Sequence, residues 1–357
     1  MSRKKVLVLF GGESSEHEIS RRSAVCVLDS IDRERYEVLT AGITKKGSWY
    51  LTGAPLTTIG DGSWEQDKGN APLALSLDRE NPGFLCVTEE GEKALAVDVV
   101  FPVLHGLYGE DGTVQGMLRM AGIPFVGSDT KTSAACMDKG LAKALVEQAE
   151  AAHQAKCCIL YRQNCDPEEA AEGVEEFFRR KYPLFVKPSA SGSSVGISKV
   201  RTRQELVDGI GVAFAEDDKI LIEEAIEGRE LEVAVLGNES PEASPVGEIF
   251  SAHEFYDYEA KYQDQGSRTA LAEDIPEEIL EEIRETAVLV YRILECRGLA
   301  RVDFFLREDG TVIFNEINTM PGFTDISMYP QLWMAAGMSY AQLIDRLITL
   351  ALEGEGC

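Results

Sequence analysis

The stretch RVDFFLREDGTVIFNEIN, residues 301–318, restricts the fold more than any other part of this chain, because it reads as a β-hairpin whose strands carry facing acids. Asp309-Gly310 is a two-residue turn signal, since both central positions of a type I′ turn need positive φ. Counting outward from that turn pairs Glu308 with Thr311, Phe305 with Phe314, Asp303 with Glu316 and Arg301 with Asn318. Side chains alternate faces along a strand. Val302, Phe304, Leu306, Ile313 and Ile317 therefore form an apolar face with Asn315 as its one polar member, while Arg301, Asp303, Glu316 and Asn318 share the other. Like charges directly opposite each other destabilise an antiparallel pair, by about 1 kcal/mol at ~4 Å in water and about 4 kcal/mol at an effective dielectric near 20. Two compensations fit the residues. Either Arg301 neutralises an acidic edge, or a divalent cation shares the carboxylates with phosphate oxygens, as Mg²⁺ commonly does.

The chain has 357 residues, more than one hydrophobic core accommodates, so two or three domains are expected. A net charge of -26 and a pI near 4.6 leave no basic footprint for nucleic acid or an anionic membrane, and neither is expected as a partner. Part of that acid is solvated helix surface. In 276–298, Ile279, Ile283, Val290 and Leu294 form one stripe of a helix that Pro276 starts and Gly298 stops. Eight cysteines without a C-x-x-C or framework spacing fit reduced thiols in a cytoplasmic protein, and four scattered histidines argue against zinc. The N-terminal apolar run breaks at Gly11-Gly12, too short for a signal peptide, and no other stretch approaches a membrane-spanning length.

Strands at 4–10, in EVLTAGIT and at 98–106 alternate with helices in SSEHEISRRSAVCVLDSI and GTVQGMLRMAG, which predicts a parallel sheet with flanking helices to about residue 130. Residues 53–95 have mixed turns and weak periodicity and give no clear reading. A helix MDKGLAKALVEQAE opens a second block, followed by the strand CCILYR, the helix PEEAAEGVEEFFRRK, two strands around a Gly/Ser loop, the helix TRQELVDGIGVAFAE and the strand KILIEEAI. Beyond about 216 strands dominate, ending in the acidic hairpin and a C-terminal helix SYAQLIDRLITLALE.

Several motifs carry chemistry. In KPSASGSSVG, 187–196, Gly192 and Gly196 permit close backbone approach and the serines offer hydroxyls and amides. The loop lacks the Gly-Lys-[Ser/Thr] ending of a Walker A motif, so it is a plain hairpin loop unless Lys187 on the strand beneath it meets a phosphate. Lys139 opens a helix, against the macrodipole, which fits a bound anion or an ordinary surface lysine. The stretch IEEAIEGRE holds Glu223, Glu224, Glu227 and Glu230 after a strand, where the backbone suits adenine and one carboxylate suits ribose hydroxyls; otherwise they are surface acids. Ser15-x-x-Glu18 fits a capping box. Glu16, free of that duty at the carboxyl end of the first strand, is either first-turn charge or a partner for a ligand ammonium. FGGESSEHEIS lacks the G-x-G-x-x-G pattern of a dinucleotide loop. In FYDYEAKY, Lys261 could meet phosphate and Tyr262 could close over a substrate, and in NTMPGFTDIS the Gly322 amide and the Ser327 hydroxyl could receive a carboxylate.

Taken in order, GGESSEHEIS, LHGLYGEDGTVQG, MDKGLAK, KPSASGSSVGISKV, IEEAIEGRE, FYDYEAKY, RVDFF and NEINTMPGFTDIS closely resemble the D-alanine:D-alanine ligases of the ATP-grasp superfamily over nearly the whole chain. The resemblance implies an α/β protein with an N-terminal Rossmann-like parallel-sheet domain, 1–130, that binds substrate, followed by a two-part ATP-grasp α+β fold of a central subdomain, 131–220, and a C-terminal subdomain with the metal site, 221–357. It implies an ATP-dependent ligase that joins two D-alanines through an acyl phosphate for peptidoglycan precursors, with D-alanine and ATP as partners and a homodimer as the assembly. Carried over, Glu16 holds the first substrate's ammonium, linked to Ser193 and Tyr262 with His105 nearby. Lys139, Lys187, Glu223, Glu224, Glu230 and Lys261 bind ATP, and Asp303, Glu316 and Asn318 hold two Mg²⁺ or Mn²⁺. Arg301 and the Gly322 amide stabilise the transition state, and Ser327 receives the second substrate's carboxylate. The competing readings are a related carboxylate–amine or depsipeptide-forming ligase, a nucleotide-binding regulator without turnover, and a nicotinamide-dependent dehydrogenase, the last weakened by the missing fingerprint.

Overall fold

In the computed structural model, residues 3–88, 91–163, 165–192, 195–250 and 268–353 are described. β1 (Lys4–Gly11) occupies the interior of the first sheet because Val6, Leu7, Val8, Leu9 and Phe10 have no polar face to offer water, and all five are fully buried. Its neighbours are β2 (Tyr36–Ile43) and, on the other side, β7 (Val99–Val103), both parallel to it. Between these in sequence lie β3 (Trp49–Leu51), β4 (Ala71–Ser76), β5 (Gly83–Thr88) and β6 (Gly91–Ala96), each antiparallel to its predecessor. The sheet is therefore mixed, in the order β6-β5-β4-β3-β2-β1-β7, and the expected parallel sheet is limited to three strands. The links β2–β3 and β4–β5 are too short to carry a crossover helix, so only antiparallel neighbours can form there.

α1 (His17–Ser30), α2 (Leu56–Asp61) and α3 (Thr113–Ala121) flank this sheet. The stretch that gave no clear reading is anchored by Trp64, which is fully buried with its ring centroid 5.0 Å from that of Phe10. Gly42 makes room for it, since a Cβ there would fall 2.4 Å from the indole. The expected capping box at α1 is absent. Its N-cap is Glu16, Ser14 Oγ accepts from the Glu16 amide at 3.0 Å and donates to the His105 carbonyl at 2.7 Å, and Glu18 pairs with Lys45. Positive φ at Gly11 and Gly12 turns the chain so that Ser14 is tied across to His105, which moves the helix start past Ser15.

α4 (Thr130–Met137) and α5 (Lys139–Gln148) lead to the two-residue β8 (His153–Gln154). A second, antiparallel sheet follows, built from β9 (Cys157–Tyr161), β10 (Leu184–Pro188), β11 (Ser198–Val200) and β12 (Lys219–Glu224) in the order β11-β10-β12-β9. α6 (Pro167–Phe177) and α7 (Arg203–Glu216) bury Ala171, Val174, Leu206 and Ile210 against it.

The third sheet contains β13 (Arg229–Gly237), β14 (Glu242–Phe250), β15 (Arg268–Leu271), β16 (Gly298–Leu306) and β17 (Val312–Asn318), with β8 joining its far edge beside β17. α8 (Glu277–Ile293) packs Ile283, Ala287 and Val290 on one face, together with Ala142 and Val146 of α5. The stripe read from the sequence holds, but the helix does not stop at Gly298. Glu295 takes the left-handed turn at φ 57°, and Gly298 opens β16, where a Cβ would lie 3.2 Å from the Gly127 amide nitrogen. α9 (Met328–Ala335), which the sequence did not announce, and α10 (Tyr340–Glu353) cover the opposite face. Leu332, Trp333, Leu343 and Leu347 there share one core with Val6, Val8 and Phe10 of the first sheet. Asp345 on α10 adds polar ties, accepting from Arg35 and the Tyr36 hydroxyl at 2.6 Å each. The first and third sheets are thus joined by a continuous apolar layer.

The acidic hairpin keeps its expected pairing where it matters and departs from it elsewhere. Arg301 faces Asn318 and Asp303 faces Glu316, as counted from the sequence, yet Phe304 faces Phe314 and Phe305 faces Ile313. The turn is one residue longer than a type I′ hairpin. The Gly310 amide donates to the Arg307 carbonyl at 3.0 Å, the Arg307 amide donates to Thr311 at 3.1 Å, and Gly310 alone takes φ 85°. A bulge between the 303 and 304 pairs then restores the count. As a result Val312 and Phe314 lie in the core against α8, and Ile313, expected there, lies outside that cluster. Among the described residues no helix is long and apolar enough to cross a membrane.

Candidate active site

The strands of the third sheet set a row of acids side by side. Glu232 on β13 is paired across from Asp303 on β16, which is paired across from Glu316 on β17. Such a row repels itself and needs cations. Arg301, two residues from Asp303 on the same face, forms a fork on it with Nε and Nη2 each 2.7 Å from a carboxylate oxygen, and reaches Glu232 at 3.1 Å. Asn318 adds a bond to Asp303 at 3.1 Å. Lys139, first residue of α5, lies 3.2 Å from Glu316 and donates to the Ser191 carbonyl at 3.0 Å. Its position against the helix dipole is thus offset by a carboxylate and by the backbone of the Gly/Ser loop.

Two cavities meet at Lys139, Arg301 and Glu316. One is lined by Glu16, His105, Glu110, Gly192, Asn318, Gly322 and Ser327. The other is lined by Lys187, Lys199, Glu223, Glu224, Glu230, Asp303 and Phe305.

In the first cavity, Glu16 is 7% exposed and packed so closely that a Cβ on Gly192 would lie 2.6 Å from its Oε2, and one on Gly106 2.8 Å. His105 places Nδ1 3.0 Å from the Met320 carbonyl and Nε2 3.3 Å from Ser23 Oγ. Burial lowers its pKa despite the pull of Glu16, which keeps the imidazole neutral. Ser327 is the N-cap residue of α9, with its Oγ 2.8 Å from Thr324 Oγ1 and accepting from the Thr324 amide at 3.0 Å. A Cβ on Gly322 would lie 2.9 Å from that Oγ. The hydroxyl and the start of α9 together suit an anion.

Glu110 was not singled out in the sequence. It is 9% exposed, and its carboxylate accepts from the Gly106 amide at 3.1 Å. Burial and then the Glu16 charge push its carboxyl up to about 8. An acid with a raised folded-state pKa lends stability that is complete below its unfolded value and is lost as pH rises through the folded one. Glu110→Gln is therefore expected to flatten the decline in stability between about pH 5 and pH 8. Urea midpoints of both proteins across that range check this, and parallel curves would refute it.

In the second cavity, Lys187 on β10 lies 2.6 Å from Glu223 Oε2, and Lys143 on α5 lies 2.8 Å from Glu223 Oε1. Burial works to raise the Glu223 carboxyl, but the two lysines outweigh it and hold it at about 2. Glu224 accepts from the Lys156 amide at 2.9 Å, which ties its side chain to the strand edge. Glu230 stands on the cavity wall next to Glu232's strand position.

The structure thus gathers Glu16, His105, Gly322 and Ser327 in one chamber and Lys187, Glu223, Glu224 and Glu230 in the other, with Lys139, Arg301, Asp303, Glu316 and Asn318 at their junction. Ser193, Lys261 and Tyr262 lie outside the described residues. Glu110, Lys143 and Glu232 were missed by sequence reasoning. Glu232 left a signal in following Glu230 at the two-residue spacing of one strand face, and Lys143 in following Lys139 by one helical turn.

Among the described residues no three His, Cys, Asp or Glu side chains are gathered so as to hold a metal by themselves. Two carboxylates and an amide, all oxygen donors beside lysines that suit phosphate, nevertheless fit Mg²⁺ or Mn²⁺, which completes its shell with water and ligand oxygens.

Comparison with known proteins gives a consistent result. Residues 5–128 match the family described as D-ala D-ala ligase N-terminus, and residues 146–349 match the D-ala D-ala ligase C-terminus. The D-alanine–D-alanine ligase of Acetivibrio thermocellus is 47% identical, over 98% of this chain and 96% of its own. D-alanine–D-alanine ligase A of Salmonella typhimurium is 45% identical, over 99% and 97%. Among solved structures, the VanG D-Ala:D-Ser ligase of Enterococcus faecalis superposes with a TM-score of 0.88 at 40% identity, over 98% of this chain and 100% of that one. The D-alanine-D-alanine ligase of Coxiella burnetii also gives 0.88, at 32% identity over 99% and 95%.

Proposed function

The chain belongs to the D-alanine–D-alanine ligase family, and from that premise we propose how its two chambers divide the reaction. The protein is an ATP-dependent ligase that joins two D-alanines for cell-wall synthesis. The observation that carries the proposed division is the meeting of the cavities at Lys139, Arg301 and Glu316. The lysine-rich chamber takes ATP, the chamber with Glu16 and Ser327 takes the amino acids, and the junction is where a phosphoryl group passes between them.

A carboxylate is a poor electrophile. Transfer of the γ-phosphoryl of ATP to the first D-alanine gives an acyl phosphate and ADP; attack by the second D-alanine's amine then forms the peptide bond and releases phosphate. Phosphoryl transfer depends on alignment and charge neutralisation rather than on a protein nucleophile. Lys139 and Lys187 bind phosphate oxygens, Glu230 holds the ribose, and Glu223 with Glu224 borders the base. Glu16 fixes the first D-alanine's ammonium. Ser327 and the amides opening α9 receive the second substrate's carboxylate. Arg301 and the Gly322 amide are the preorganised donors for the oxyanion that develops during the attack. Asp303, Glu316 and Asn318 would hold two Mg²⁺ or Mn²⁺, whose contribution is to offset phosphate charge.

In this reading, residues 1–130 are a Rossmann-like substrate-binding unit and 131–220 and 221–357 the two parts of an ATP-grasp fold. α5 and β8 of the central part lean on the third sheet. A cytoplasmic homodimer is the proposed state of the protein.

Product analysis tests the activity. The protein with ATP, Mg²⁺ and D-alanine is expected to yield D-alanyl-D-alanine and matching ADP, with L-alanine inert. D-serine and D-lactate as second substrates separate the dipeptide former from its relatives. ATP binding without product would overturn the reading. Within the site, Gly192→Ala would push the Glu16 carboxylate aside, and misplacement on the scale of 1 Å costs up to about 10²-fold. The variant is expected to raise KM for the first D-alanine far more than KM for ATP. Equal changes in both constants would refute that assignment of Glu16.

A further inference from the structure

Lys143 stands behind the nucleotide chamber rather than in it. It is 5% exposed, it does not line the cavity, and its ammonium lies 2.8 Å from one oxygen of Glu223, itself 2% exposed. The other oxygen of Glu223 is 2.6 Å from Lys187, which does line the cavity. Each oxygen of this one carboxylate therefore has a lysine ammonium at ion-pair distance. With Lys187 alone, the pair would cancel and the Lys187 ammonium would be held mainly as the partner of a buried acid. With Lys143 supplying that counter-charge, Glu223 is neutralised by a cation outside the chamber, and Lys187 keeps a charge to offer an anion.

Helix α5 makes this arrangement possible. Lys139 and Lys143 are one helical turn apart and so share a face. Lys139 reaches Glu316 on the third sheet at 3.2 Å, and Lys143 reaches Glu223 on the second. The Lys143 ammonium also lies over the Phe314 ring, 5.9 Å from its centroid, which gives the cation a second favourable neighbour. A buried ion pair that merely fastens a helix would not require its acid to bridge to a second lysine at the cavity wall.

We propose that Lys143 is a positioning residue for ATP, acting through Glu223 to orient that carboxylate and to keep Lys187 directed at phosphate. The proposal rests on the reading of this chamber as the nucleotide site. It predicts that Lys143→Met raises KM for ATP on the order of tenfold, the scale seen when a group that supports a ligand-holding side chain is lost. KM for D-alanine and kcat at saturating ATP should change far less, and Lys143→Arg should restore most of the ATP affinity.

The test is a kinetic cycle on the full-length enzyme with Lys143→Met, Glu223→Gln and the double variant, each with ATP and D-alanine varied in turn. Support requires that both single variants raise KM for ATP and that the double variant is no worse than Glu223→Gln. An unchanged KM for ATP in Lys143→Met, with Glu223→Gln impaired, overturns the role of Lys143 and leaves the nucleotide chamber intact. If Glu223→Gln also leaves KM for ATP unchanged, the chamber assignment falls and the role of Lys143 falls with it. A proportional loss of kcat and of folded protein with neither KM altered reduces Lys143 to a structural tie and overturns the proposal. Should Lys143→Met not fold, Lys143→Gln, which keeps a donor without the charge, is read by the same criteria.

Discussion

Glu316→Gln is expected to abolish ATP turnover while leaving the fold intact. The substitution preserves shape and keeps an acceptor for Lys139, which lies 3.2 Å from the carboxylate. It also removes the charge–charge repulsion across β16 and β17, where Asp303 faces Glu316. Stability should therefore move by no more than about 1 kcal/mol. Turnover is a different matter, because a neutral amide cannot serve as a hard anionic donor to a divalent ion. Losing one such preorganised electrostatic contribution costs about 10²–10³ in rate. ADP release in a coupled assay, beside urea unfolding of the same preparation, separates the two effects. Near-normal turnover would remove Glu316 from the set of metal donors.

Arg301→Gln is expected to damage both stability and turnover. The guanidinium bonds to two members of the acid row, with a fork on Asp303 and a 3.1 Å contact to Glu232. All three side chains are largely buried, at 16%, 12% and 7% side-chain exposure. The substitution takes the fork from Asp303 and the ion pair from Glu232, and breaking a buried pair in this way costs about 3–5 kcal/mol. Arg301→Lys retains the charge but not the planar fork, so it should recover part of the stability and little of the rate. Denaturant midpoints and kcat for both variants check this. Equal stability of Arg301→Gln and the parent would show that the acid row is neutralised by other means.

How much of this was legible in the sequence differed by the range of the interaction. The facing of Asp303 and Glu316 followed from pairing arithmetic within one hairpin, and the two carboxylates do face each other. The same arithmetic put Ile313 on the face of Val302 and Phe304, because a two-residue turn and a three-residue turn both accommodate Asp-Gly and nothing local announces the bulge; Ile313 is buried, but outside the cluster under α8. Helices with a strong apolar stripe, such as α8, were readable from their period. The four antiparallel strands between residues 49 and 96 were not, because their identity depends on edge pairing with a sheet formed elsewhere. Lys143 stands in MDKGLAK and Glu110 in LHGLYGEDGTVQG, but neither motif gives them a role, and Glu232 lies in none. Each acquires its role from a partner distant in sequence, Glu223, Glu16 and Arg301 respectively, and such pairings become visible only when the sheets are assembled.

The bulge at the acid row carries a consequence for chain length. Excising Asn315 would give an uninterrupted strand in which Phe304 still meets Phe314, Asp303 still meets Glu316 and Arg301 still meets Asn318. The core would not notice the deletion, so burial alone gives no reason for the extra residue. What a bulge adds is local twist and a change in the direction of the side chains beside it. Asn315 is thus a spacer whose worth lies in the bearing it gives to Glu316: a protein shortened by this one residue should be sound as a fold and poor as a ligase.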